Sequence, residues 1–192
     1  MPKYLSIEEL IALIEEPNRS LCLRILRENR ELFQRVHGSS TKHQTWPGGY
    51  IDHVTDVMNI AVVQYALDDS LRSLPFRLAD ALLVLFLHDL EKPWKYVVEN
   101  DNLVIRPELR NKEAQRDFRE QLIADYGIVL TPAQLNALRY VEGEYTDYSP
   151  YKRVMNELAA FCHICDVKSA RIWYDYPLDE GDPWATDGRT RL

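Results

Sequence analysis

The chain has 192 residues, 30 acidic against 23 basic side chains and a formal net charge of -7. With 46% hydrophobic and 28% charged residues it reads as one globular, all-α domain over 1–192, and its acidic balance argues against duplex nucleic acid, which needs a basic face. The three cysteines (Cys22, Cys162, Cys165) are too few and too odd in number for a disulfide framework, the N-terminus MPKYLSIEEL lacks a signal peptide's apolar core, and the longest apolar run, Ala81 to Leu87, falls far short of the ~18 residues of a membrane span, so a cytoplasmic protein without a membrane segment is expected.

Along the chain, Ser6 with Glu8 and Glu9 reads as a helix N-terminus, Leu10, Ile11 and Ile14 as its apolar stripe and Pro17 as its stop. Leu21, Ile25, Leu32 and Val36 keep one face through a second helix that ends at Gly38. Residues 1–38 thus form two N-terminal helices. A polar loop, Ser39 to Pro47, leads into Gly48-Gly49, and from Tyr50 the pattern Ile51, Val54, Val57, Met58, Ala61, Val62, Tyr65 predicts a long helix. Leu78 to Leu90 is apolar nearly all round and predicts a central buried helix, which Pro93 cannot continue. Tyr96-Val97-Val98 and Leu103-Val104-Ile105 flank a turn-rich centre and predict a small β-hairpin inserted in the bundle. Helices follow over Lys112 to Tyr126, over Thr131 to Val141 with a cap and an N1 proline, and over Pro150 to Tyr174, before a surface tail, 177–192.

Four residues ask for a chemical explanation. The most apolar stretch of the chain runs straight into His88-Asp89, and an unpaired buried carboxylate costs several kcal/mol or protonates. Asp166 stands in the apolar LAAFCHICDV stretch with no Lys or Arg at i-4 or i-3. His53 lies in the opening turn of the long helix, just after the double glycine. A satisfied His–Asp hydrogen bond at a helix end would account for the pair without any ion. Two histidines and two carboxylates would equally make a first-row transition-metal site. Spacing alone does not show that they converge.

GGYIDHV, LFLHDLEKP and HICDVKSARI resemble, in that order, the motifs of the HD-domain metal-dependent phosphohydrolases, over Lys42 to Tyr174. The resemblance implies an HD-like helical bundle with a motif-bearing core over 42–174. It implies the metal ligands His53, His88, Asp89 and Asp166, with Asp89 also taking a proton from a metal-bound water. Lys92, three residues after the pair, would offset charge on a phosphoryl oxygen, and His43 has counterparts in some relatives. Members with two metals carry additional histidines between the pair and the last Asp, where this chain has Glu142 and Glu144 and only His163. One divalent ion is therefore expected: manganese, iron, cobalt, nickel or zinc, with magnesium as the remaining candidate.

His163, on the face of Asp166, and Lys95, just behind the pair, are candidate substrate contacts alongside His43 and Lys92. Cys162 and Cys165 have no second ligand pair for a zinc site and read as small buried residues. The expected activity is metal-assisted hydrolysis of a phosphate ester of a nucleotide or related small molecule. The alternatives are a single-strand nuclease or phosphodiesterase, a regulatory module that holds metal and nucleotide without turnover, and a purely structural bundle. The first two helices fit a cover for the core or a homo-oligomer contact equally well.

Overall fold

A computed structural model describes residues 3–99 and 102–176, so the expected surface tail over 177–192 lies outside the described residues. The fold is mostly helical with one small antiparallel hairpin. Its helices are α1 (Ile7–Ala12), α2 (Asn18–Glu28), α3 (Arg30–Phe33), α4 (Gly49–Leu71), α5 (Leu78–Leu87), α6 (Lys92–Lys95), α7 (Lys112–Asp125), α8 (Pro132–Tyr140) and α9 (Glu157–Val167). Strands β1 (Tyr96–Glu99) and β2 (Asn102–Ile105) pair with Tyr96 opposite Ile105 and Val97 opposite Val104. Among the described residues no helix is long and apolar enough to cross a membrane.

The sequence signals at the helix starts act as expected. Ser6 Oγ accepts from the Glu9 amide while the Glu9 carboxylate accepts from the Ser6 amide, and Thr131 and Gln134 form the same reciprocal box at α8. The ends show what periodicity could not. The second helix breaks at Asn29, whose side-chain amide donates to the Ile25 carbonyl and the Tyr126 hydroxyl and so competes with the backbone ladder. The last helix begins at Glu157, not Pro150, because Asn156 caps it by accepting from the Ala159 amide. Asn136 meanwhile ties the preceding segment to α8 through the Val154 carbonyl and the Asn156 amide. After Val167 the chain widens into a π-helical turn, Lys168–Ile172.

Helix α5 is the centre of the core. Every side chain from Ala81 to Leu87 is buried, and the helix packs against α1, α4, α8 and α9. Each such Leu, Val or Phe contributes roughly 1.5–3 kcal/mol relative to an exposed position. The helix stops at Leu87 rather than Leu90, and Pro93, which has no amide hydrogen to give the Asp89 carbonyl, sits in the first turn of the next short helix, α6. His88 to Glu91 therefore form a tight turn, with the Lys92 amide donating to the Asp89 carbonyl at 2.9 Å. That turn presents His88 and Asp89 at the end of the most apolar helix. On the opposite wall, Gly48 adopts a left-handed conformation (φ 84°) and starts α4. A Cβ on Gly49 would run into the Gln44 carbonyl oxygen, so only glycine lets the 38–47 loop lie against the first turn of α4, beside His53.

Candidate metal centre

Three elements bring the singled-out residues together: the start of α4 supplies His53, the turn after α5 supplies His88 and Asp89, and the end of α9 supplies Asp166. His53 Nε2 lies 3.6 Å from Asp89 Oδ2 and 3.1 Å from Asp166 Oδ1. His88 Nε2 lies 3.1 Å from Asp89 Oδ2 and 3.7 Å from Asp166 Oδ1. The four side chains thus alternate imidazole and carboxylate around a small ring. Donor atoms bound to one ion at about 2.1 Å sit about 3.0 Å apart at neighbouring octahedral corners and about 3.4 Å apart at tetrahedral ones. The two 3.1 Å separations match that spacing, and the 3.6 and 3.7 Å ones exceed it by a few tenths of an ångström.

His53, His88 and Asp89 are all buried, and their ligand atoms lie within 4.8 Å of one another. The Nε2 atoms of both histidines are buried without a properly aligned hydrogen bond, although carboxylate oxygens stand close by. Buried polar atoms left in this way are uncommon in folded proteins. The two imidazole nitrogens and Asp89, with Asp166 Oδ1 within 3.7 Å of both nitrogens, could hold a divalent cation. Their outer nitrogens are held: His88 Nδ1 lies 2.6 Å from the Leu85 carbonyl, which can only accept, so Nδ1 carries a proton and Nε2 is the nitrogen turned to the carboxylates. His53 Nδ1 lies 3.1 Å from Ser169 Oγ.

The electrostatics follow from burial against charge. For His88, burial disfavours the imidazolium, but the Asp89 and Asp166 charges outweigh it and push the pKa up to about 10. His53 is pushed down, burial being the largest cause. Burial would raise both aspartates, yet the cationic and imidazole neighbours hold Asp89 and Asp166 well below the usual carboxylate range. Lys92 forms an ion pair with Asp89 Oδ2 and keeps its charge, its pKa raised by the surrounding carboxylates in spite of burial.

His43 is drawn in as well. Its ring lies tilted against that of His53, centroids 4.7 Å apart, and burial, with the nearby His53 and Lys92, lowers its pKa to about 4. Lys95 and His163 are bonded elsewhere. The Lys95 ammonium reaches Gln115 Oε1 at 3.3 Å and lies over the Tyr96 ring, and His163 Nδ1 bonds the Val141 carbonyl at 2.7 Å. Glu142, in the segment where a further histidine would be sought, pairs with Lys112 at 2.7 Å. Cys162 and Cys165 are free thiols in the core, and burial pushes Cys165 up to about 12, the opposite of a reactive or metal-binding cysteine.

Four residues that sequence reasoning left aside support the site: Gln44, Glu91, Arg119 and Ser169. Arg119 on α7 donates to the His88 backbone carbonyl and, at 3.4 Å, to that of Leu138, and lies 3.7 Å from Glu91 Oε2. It therefore fastens the His-Asp turn to α7 and α8. Desolvation raises the pKa of Glu91. Both side chains face a cavity of about 310 Å³ that Lys112, Arg116, Arg139 and Tyr145 also line. Replacing Arg119 by alanine would strand the Glu91 carboxyl, and the expected loss is about 3–5 kcal/mol of unfolding free energy in urea titration. Adding Glu91→Gln to Arg119→Ala should recover part of it. Ser169 and Glu91 sit inside the quoted motif stretches, whereas Arg119 lies in a helix rich in charge that reads as solvated surface.

Compared with known proteins, the chain matches no family model, no curated protein and no solved structure.

Proposed function

We propose that this chain is a metal-dependent phosphohydrolase that cleaves a phosphate ester of a nucleotide or a related small phosphorylated molecule. The observation that carries this reading is the ring of His53, Asp89, His88 and Asp166, with two buried Nε2 atoms converging on two carboxylates and Lys92 held on Asp89. His53, His88, Asp89 and Asp166 would hold one divalent transition metal. Such an ion lowers the pKa of a bound water and polarises a phosphoryl oxygen.

The protein's own groups do the rest. Asp89, kept ionised by its neighbours, accepts a proton from the attacking water. Lys92, kept charged beside it, faces the negative charge that builds on the phosphoryl oxygens. His43, neutral at pH 7, offers a hydrogen-bonding edge next to His53. The cavity beyond Glu91 and Arg119, with its mixed cations and carboxylates, would take the organic part of the substrate, and its 310 Å³ lies at the lower end of small-molecule sites.

The test is phosphate or nucleoside release from a panel of nucleoside mono-, di- and triphosphates and a model phosphodiester, with manganese and with chelator. Manganese-dependent release abolished by the chelator supports the reading, and the preferred panel member identifies the substrate class. Metal-loaded protein inert toward every member would favour a binding module, and turnover confined to the diester would favour a phosphodiesterase.

A further inference from the structure

Beyond the ligand ring, the 38–47 loop contains a buried glutamine in an unusual place. Gln44 is 0% exposed and has a left-handed backbone (φ 42°), which a glutamine adopts only when its surroundings enforce it. Its backbone is fixed at both ends: the Gly38 amide donates to its carbonyl at 2.9 Å, and its own amide donates to the Tyr174 carbonyl at 2.7 Å.

The side chain bridges two parts of the fold. Gln44 Nε2 faces the carbonyls of Trp173 (3.2 Å) and Tyr176 (3.4 Å) and Ser169 Oγ (3.4 Å). Backbone carbonyls only accept, so the amide must present its NH2 to them and its oxygen to the other side. There Gln44 Oε1 lies 2.7 Å from His43 Nδ1. Oε1 is an acceptor alone, so His43 Nδ1 carries the proton and, in the neutral ring, Nε2 is bare. The same Ser169 Oγ that receives the Gln44 amide lies 3.1 Å from His53 Nδ1. When His53 binds an ion through Nε2 its proton must sit on Nδ1, and Ser169 Oγ is the acceptor in place for it.

We propose that Gln44 is a positioning residue for the metal centre: one carboxamide orients the His43 ring directly and the His53 ring through Ser169, tying both to the turn at Trp173–Tyr176. This rests on the metal-centre reading for its effect on affinity, but its effect on His43 is independent of any ion. Ser169 follows Asp166 by three residues, on the same face, and is 0% exposed where the π-helical turn packs against α4.

The experiment uses the full chain and the variants Ser169→Ala and Gln44→Asn, the second keeping the amide but shortening its reach by one methylene. Nitrogen-15 spectra of the histidines in the metal-free chain give the tautomers, and calorimetric titration with Mn2+ and with Zn2+ gives affinities. Expected is a wild-type His43 protonated at Nδ1, a tautomer lost in Gln44→Asn and kept in Ser169→Ala. Both variants should bind either ion about 10–100-fold more weakly, with unchanged far-ultraviolet circular dichroism. A wild-type His43 protonated at Nε2, or both variants binding as tightly as wild type, overturns the proposal. If the wild type binds neither ion, the metal-centre reading fails. The positioning role then stands or falls on whether Gln44→Asn changes the His43 tautomer.

Discussion

Asp89→Asn is expected to lower metal-dependent phosphate release on the order of 100-fold or more, while keeping the volume and shape of the side chain. Asp89 Oδ2 is the most shared atom of the site: it lies 3.1 Å from His88 Nε2, 3.6 Å from His53 Nε2 and in an ion pair with Lys92. The amide cannot take a proton from water at neutral pH, and it binds a divalent ion more weakly than a carboxylate does. It also leaves the buried Lys92 ammonium without its ion-pair partner. Removing one member of a buried pair is destabilising by about 3–5 kcal/mol, which for a chain of this size is roughly 6–20 °C in melting temperature. The melting temperature of the metal-free preparation should therefore fall alongside the metal-dependent activity. The double variant Asp89→Asn/Lys92→Met should regain stability without regaining activity. Wild-type turnover in Asp89→Asn would remove Asp89 from the chemistry altogether.

Divalent metal is expected to stabilise the protein, and by more as the pH rises. With ion at 100 times its dissociation constant, linkage adds about 2.7 kcal/mol, or roughly 5–11 °C in melting temperature. The sign of the pH effect follows from His88. Its pKa in the metal-free chain stands near 10, above its ordinary 6.5, because of Asp89 and Asp166. A raised folded-state pKa contributes stability that is complete below about 6.5 and lost as pH climbs through about 10. Coordination through His88 Nε2 requires that proton to leave. Between pH 6.5 and 8.5 apparent affinity should rise roughly tenfold per unit, with one proton released per ion bound by this group. Differential scanning fluorimetry with manganese at pH 6.5, 7.5 and 8.5 reads this directly. A thermal shift that shrinks with rising pH would mean that His88 is not a ligand.

Much of this molecule was legible in one dimension. Leu78 to Leu90, apolar nearly all round, was readable as a central buried helix that Pro93 could not continue, and the structure buries every side chain from Ala81 to Leu87. The capped starts at Ser6 and Thr131 were readable for the same local reason: a hydroxyl and an amide or carboxylate at fixed spacing satisfy each other. The anomaly of His88, Asp89 and Asp166 was equally plain, since charge in an apolar setting needs a partner wherever the chain goes.

Tertiary structure alone decided what those partners are. His53, His88 and Asp166 are separated by 35 and 78 residues of sequence, and no periodicity states that both histidines come within 4 Å of the Asp166 carboxylate. The break at Asn29 depends on the Tyr126 hydroxyl, 97 residues away, and the late start of α9 on Asn136. The partners of Lys95 and His163, namely Gln115 Oε1 and the Val141 carbonyl, were likewise set by the fold. Gln44, Arg119 and Ser169 are ordinary polar residues as letters. They matter because burial removes water from around them, and each must then find its hydrogen bonds in whatever side chains and carbonyls the fold brings near.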